Sequence, residues 1–208
     1  GCGKSTLLRL IAGLEEPSLG SLKIAAQSPL EARQNLAFVF QDATLLPWRT
    51  VEQNVALPLE LNSHSHSLSV SQTLDMVGLT AFAKSYPRQL SGGMRMRTSI
   101  ARALLTHPEV LLMDEPFAAL DEMTRQHLNE ELLSLWTQVG WTCVFITHNV
   151  SEAVFLSQRV LVMSTRPGRW LADIPVPLPY PRHPEVRTSV AFNQIIEGIS
   201  HHLRETHP

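Results

Sequence analysis

Two stretches of this sequence hold side chains in an order that phosphate chemistry requires. At its start, Gly1, Cys2, Gly3, Lys4, Ser5 and Thr6 supply the last part of the pattern GxxxxGK[ST]. In such a loop the glycines let backbone amides turn inward on phosphate oxygens. Lys4 then reaches the β and γ oxygens of a nucleoside triphosphate, and the Ser5 hydroxyl can ligand magnesium. Taken alone, GCGKST also fits a flexible Gly/Ser turn before a helix, the lesser of the two readings. The second stretch, VLLMDEP, is an apolar run ending in Asp114 and Glu115. A buried strand rarely ends in two acids without a cation or a proton transfer to justify them. Read together with the loop, Asp114 is the magnesium-side ligand and Glu115 the base that polarises water for attack on a γ-phosphate. The plain alternative, a solvated turn after a strand, does not account for the phosphate pattern upstream.

These residues need elements to position them. Leu7, Leu8, Ile11 and Leu14 recur at helical spacing behind the glycine loop, with Gly13 where the helix should end, so the helix aims its positive end at the anion. Ser21 to Ile24 and Leu36 to Phe40 read as short strands, and Glu109 to Asp114 as a buried one. Met94 to Thr106 is a helix closed by Pro108. A helix is predicted over Glu122 to Val139, with Leu128, Leu132, Leu135, Trp136 and Val139 on one face, followed by a strand from Cys143 to Thr147. Arg159 to Met163 is a further strand, LADIPVPLPYP an edge-like extended segment, and Phe192 to Leu203 a final amphipathic helix. This alternation predicts an α/β fold with a mainly parallel sheet flanked by helices. Between Asp42 and about Gly92 the texture changes to prolines, the polar tract NSHSHSLS and short helical patterns. The expected organisation is one domain over 1–208. A nucleotide-binding core spans 1–41 and 107–208, and a small helical subdomain spans 42–106.

Composition bounds the function. With 208 residues, 44% hydrophobic and 17% charged, the chain has material for one domain with a substantial core. Its 17 basic and 19 acidic side chains leave no broad positive footprint for nucleic acid. Cys2 and Cys143 form neither a disulfide framework nor a metal-ligand spacing, which fits a reducing compartment. No apolar run is long enough to cross a membrane. His64, His66, His201, His202 and His207 lie in polar or terminal tracts without cysteine or carboxylate partners at ligand spacing, and read as surface residues.

The stretch LSGGMRMRTSIARALLTHP, from Leu90, resembles the signature motif of ABC ATPases. Other motifs follow that family in order. Gln41 after LAFVF resembles the Q-loop, Ala119, Leu120 and Asp121 the D-loop, and Thr147 with His148 the H-loop switch. Met94 stands where glutamine is usual, and Asn149 where aspartate is usual. The resemblance implies that ATP and magnesium are bound, that Gln41 reaches the metal or the attacking water, and that His148 contacts the γ-phosphate. It implies that Ser91, Gly92 and Gly93 serve ATP held by a second subunit, in a head-to-tail dimer with cross-talk through Asp121. It further implies that the opening of the P-loop pattern, the first strands of the nucleotide domain and the aromatic residue that stacks on adenine lie upstream of Gly1. The 208 residues are then expected to be a fragment that binds ATP weakly on its own.

ATLLPWRTVEQNV, SEAVFLSQRVLVMSTRPGR and VPLPYPR are similar to the ATPases of importers for nitrate, sulfonate, taurine and pyrimidine precursors. That likeness implies permease subunits in the membrane, a solute-binding protein acting indirectly, no nucleic acid, and a place on the cytoplasmic face of the inner membrane. Leu45, Leu46, Pro47 and Trp48 are open to two readings, packing in the helical subdomain or a groove for a coupling helix of the permease. Two other functions compete. An ABC engine coupled to nucleic-acid repair or translation generally carries coiled-coil or zinc insertions or a tandem ATPase domain, none of which is present here. A nucleotide sensor without turnover does not explain the Asp114 and Glu115 pair.

Overall fold

The computed structural model describes residues 2–61, 68–165 and 168–204. The strand most deeply set is the one the sequence makes most apolar, β2 (Val110–Asp114), whose Leu111, Leu112 and Met113 are wholly buried. It lies between β1 (Leu36–Val39) and β3 (Thr142–Ile146), parallel to both. Because side chains alternate across a strand, Leu111 and Met113 enter one hydrophobic cluster and Leu112 another on the opposite face.

On the Leu112 face lies α1 (Lys4–Ile11), which packs Leu8 and Ala12 against Leu112 and Ile146. A short α2 (Pro29–Ala32), opened by a capping box in which Ser28 and Glu31 bond reciprocally, precedes β1. On the other face a larger cluster gathers β1, β2 and helices between them. Of these, α3 (Val51–Val55), α5 (Val70–Met76) and α6 (Gly92–Leu104) join it, while α4 (Leu57–Leu61) has no buried residue. The buried Asn54 staples the turn ahead of α3 by accepting from Leu46 N and donating to the carbonyls of Leu46, Arg49 and Thr50. The helix α7 (Glu122–Val139) has the bounds its pattern predicts, begun by an Asp121 cap and ended at Gly140, whose φ of 79° is a glycine conformation. Leu128, Leu132 and Leu135 face the larger cluster from it.

One predicted strand is absent. From Ser21 to Ile24 only Ile24 pairs, in an isolated antiparallel bridge to Gln27 across a tight turn at Ala25 and Ala26. A short apolar run becomes a strand only where a neighbouring strand accepts its hydrogen bonds, and none is beside this one among the described residues. The opposite correction applies to the proline-rich tail. Its start is a true strand, β5 (Trp170–Pro175), antiparallel to β4 (Arg159–Met163). Under this hairpin a third cluster joins α8 (Val150–Leu156) to α9 (Val190–Arg204) through Phe155, Val162, Val176, Phe192 and Ile199.

The tail string VPLPYPR locks α8 in place. Buried Arg182 donates to the carbonyls of Val154 (2.7 Å), Phe155 (2.9 Å) and Ser157 (2.8 Å) at the end of α8, and to Leu178 O (2.9 Å). Its guanidinium lies 4.1 Å from the centre of the Tyr180 ring, and Tyr180 donates its hydroxyl hydrogen to Leu156 O. A cation at a helix C-terminus satisfies both its orphan carbonyls and its negative dipole end. Arg182→Met orphans those carbonyls in a buried setting, so it is expected to lower stability by about 3 kcal/mol or more, read from urea unfolding. A loss under about 1 kcal/mol would show the network to be dispensable.

Candidate functional site

The left-handed Gly3 (φ 96°) turns the chain into α1, and the packing of Leu8 and Ala12 sets the start of that helix over the C-terminal end of β2. As a result Ser5 Oγ donates to Asp114 Oδ1 at 3.1 Å, although the two residues are far apart in sequence. Thr6 is exposed on the same first turn. Lys4 Nζ donates to Cys2 Sγ at 3.4 Å. Partial burial pushes the Cys2 thiol up, but the bond and charge of the Lys4 ammonium outweigh that and leave it below the ordinary thiol value. Gly1 lies outside the described residues, as do His64, His66 and His207.

The ends of β2 and β3 meet in the same place. Asp114 is in register with Ile146, and Glu115 N donates to Ile146 O at 3.0 Å, which brings Glu115 and His148 side by side. His148 Nδ1 and Glu115 Oε2 are 2.8 Å apart, while the imidazole stays largely exposed. Glu115 holds φ at 44°, a left-handed conformation uncommon outside glycine. Past the histidine, Asn149 caps α8 by accepting Glu152 N on its Oδ1 at 3.1 Å. That is the task an aspartate would perform there, since either side chain is a good N-cap.

Gln41 is exposed two residues beyond the end of β1, the strand beside β2. Ser91 caps α6 by accepting Met94 N at 3.2 Å, and the Met94 side chain packs on the larger cluster. Close contact joins this turn to the next motif. A Cβ at Gly92 would come within 3.0 Å of Leu120 Cδ2, and one at Gly93 within 3.2 Å of Thr124 Cγ2. Asp121 is engaged beside them, accepting from Thr124 N (3.0 Å) and Thr124 Oγ1 (2.7 Å). Those bonds hold its carboxyl below the usual range. Ala119 is exposed on the same loop. The structure therefore gathers Ser5, Asp114, Glu115 and His148 in one place, and Ser91, Gly92, Gly93 and Asp121 in another.

The motif reading passes over Glu152, an acid placed among apolar residues in SEAVFL, a contrast that marks it in the sequence. It is buried on α8 beside Thr147 and Asn129, and its Oε1 has no hydrogen-bond partner among the described residues. Burial raises its pKa above the ordinary carboxylate value, against the pull of Thr147, Asn129, Arg125 and His148. Arg102, in the apolar ARALL, is likewise passed over.

Known proteins resemble this chain in sequence and in fold. A family model described as ABC transporter matches residues 1–118. The chain is similar to an aliphatic sulfonates import ATP-binding protein of Bacillus cereus, with 46% identity over 199 residues, covering 96% of this chain and 78% of that protein. Its counterpart in Bacillus subtilis is 42% identical over 206 residues, covering 99% and 80%. Among solved structures, the dimeric post-hydrolysis state of an ATP-binding cassette bound to ADP and phosphate superposes with a TM-score of 0.71 at 31% identity, covering 84% of this chain and 81% of that one. A component of an ABC transporter complex from Clostridium perfringens gives 0.72 at 25% identity, covering 83% and 72%.

The raised pKa of Glu152 has a testable sign. The folded protein holds this proton to higher pH than the unfolded chain does. Its contribution is therefore present below the unfolded value, and is lost as pH climbs from the ordinary carboxylate range through the folded value. Glu152→Gln removes that loss. Urea unfolding should find the variant gaining on the parent as pH climbs above the ordinary carboxylate range, with the gap closing in acid. A gap that does not change with pH would count against an ionisation cost at Glu152.

Proposed function

The chain belongs to the ABC transporter family and is a transport ATPase, and from that premise we propose that it powers an importer for a small anionic solute of the sulfonate class. What carries the reading is the convergence of Ser5 with Asp114 and of Glu115 with His148 at the ends of two parallel strands, where the glycine loop opens into α1. The cargo class is supported by the sulfonate importers among the relatives, and nitrate, taurine and pyrimidine-like solutes are the alternatives that the sequence resemblance implies.

In this mechanism Gly1, Cys2 and Gly3 present backbone amides to the phosphates, Lys4 neutralises the β and γ oxygens, and Thr6 extends the cradle. The Ser5 hydroxyl and Asp114 carboxylate are hard oxygen donors already in contact, which fits magnesium, and Gln41 is the third proposed ligand. Bound there, the ion would neutralise charge on the β and γ phosphates. Glu115 accepts a proton from water as the water oxygen bonds to the γ-phosphorus and the bond to the β-bridging oxygen breaks, giving ADP and phosphate. His148 holds Glu115 through Nδ1 and leaves Nε2 to the γ-phosphate, fixing the line of attack.

Residues 1–41 and 107–208 are proposed as the nucleotide core. Residues 42–106 are the arm that carries Ser91, Gly92 and Gly93 to the ATP of a second, head-to-tail subunit, with Asp121 at the seam. The N-terminus of α6, lined by these small residues, suits an anion presented from outside. A groove of about 980 Å³ beside β1, lined by Phe40, Thr44, Leu57, Pro58 and Leu61 among others, is the proposed seat of a short permease helix. On this reading the subunit works at the cytoplasmic face of the membrane.

With Glu115→Gln in the assembled transporter, ATP binding should persist while hydrolysis and alkanesulfonate uptake fall by about 10² to 10⁴-fold, the usual worth of a positioned base. Undiminished hydrolysis would remove Glu115 from that role, and uptake of nitrate in preference to alkanesulfonate would sink the cargo class. Exposure within the Leu45 to Trp48 segment bears on its two readings. Leu45 packs on the larger cluster, whereas Trp48 is 71% exposed. Trp48→Ala should leave the melting temperature unchanged and weaken co-purification with the permease, by about 2 kcal/mol if the ring is an interface anchor. Reduced stability with unchanged co-purification would return Trp48 to a packing role.

A further inference from the structure

Near the end of α6, Arg102 places a charged fork where nothing of opposite charge meets it among the described residues. Its Nη1 donates to Thr44 O (3.0 Å), and its Nη2 donates to Ala43 O (3.0 Å), Thr44 Oγ1 (3.0 Å) and Ser99 Oγ (3.4 Å). Burial alone draws its pKa below the ordinary guanidinium value, with no charged neighbour acting on it. A guanidinium placed there without a carboxylate is matched to the carbonyls it forks across, because its planar donors fit several acceptors at once. The loop it grips is constrained too. Thr44 holds φ at 44°, a conformation that β-branched residues rarely adopt and that persists only where the surroundings determine it.

The gripped residues directly follow Gln41 and Asp42, and the gripping helix is the one whose first turn is capped by Ser91. We infer that Arg102 is a positioning residue for hydrolysis: it fixes the Ala43–Thr44 turn to α6 and thereby sets Gln41 relative to Asp114 and to the Ser91 end of the same helix. The inference rests on the reading of Gln41 as a ligand of the metal or the attacking water. It extends that reading by assigning the device that aims the amide. Gln41 itself is exposed just past its strand, so the turn behind it supplies its orientation.

The test is a double-mutant cycle in the assembled transporter, with Arg102→Gln, Gln41→Ala and both together. Arg102→Gln should keep ATP affinity within about threefold. It should lower kcat by about 10 to 100-fold, the scale on which misplacing a reacting group acts, and raise the magnesium concentration needed for half-maximal turnover. The double variant should be no slower than Gln41→Ala alone, because the two changes remove one function. Should Arg102→Gln not fold, Arg102→Lys enters the same cycle, since an ammonium keeps the charge but cannot fork across two carbonyls. Losses that multiply, or a lowered melting temperature with kcat and magnesium dependence intact, overturn the positioning role while leaving the reading of Gln41 standing. Normal turnover and magnesium dependence in Gln41→Ala overturn that reading and the inference with it.

Discussion

Everything at this site depends on one constraint, the parallel alignment of β2 with β3 to their last residues. The pairing of Asp114 with Ile146 and the bond from Glu115 N to Ile146 O fix where both strands stop. A parallel strand buried on both faces cannot slide, because a shift of one residue would exchange Leu112 with Leu111 and Met113 between two separate clusters. The chemistry-bearing residues come directly after this locked register, so packing in the interior sets the distance between Glu115 and His148. Helix α1 is referenced to the same strand through Leu112, which is why the Ser5 hydroxyl arrives at Asp114.

That dependence also explains what could be read from the sequence. Where an element is specified by its own residues, its bounds are legible. The run VLLMD is apolar throughout, and α7 carries its own stripe, cap and terminating glycine. Site residues at the ends of such elements are legible for the same reason, and so are the glycine loop and Ser91. The Ser21 to Ile24 run failed because strand formation there depends on a partner that sequence does not name. The β4 and β5 pairing was missed because prolines masked a strand whose partner lies across a turn. Arg182, Glu152 and Arg102 stayed silent for a related reason. The significance of each lies in carbonyls or polar groups far away in the chain, while locally each is only a charge in an apolar neighbourhood.

These three charged residues share a logic. A charge withdrawn from water costs free energy unless polar groups surround it, so buried Arg182 and Glu152 and half-buried Arg102 each mark a place where the fold spends stability to hold one geometry. Arg182 gathers carbonyls at the end of α8, and Glu152 sits near the beginning of that helix, behind Thr147 and His148. His148 therefore precedes a helix held at both ends, by the Asn149 cap and by Arg182. Arg102 does the same for the turn behind Gln41.

Backbone strain follows the same division. Thr44 and Glu115 both hold φ at 44°, and both lie in the loops leaving the C-terminal ends of the neighbouring strands β1 and β2. Glycine would adopt either conformation freely, at the expense of a turn that explores many others. A side-chain-bearing residue in this region persists only when held from outside, by Arg102 in one case and by Ile146 O with His148 in the other. Each strained turn thus reports that its surroundings are intact: remove the clamp and the turn relaxes to an ordinary conformation that aims its side chain elsewhere. A hydrolytic site built this way is assembled only while α6 and the end of β3 are both in place, and those are the elements that carry Ser91 and His148.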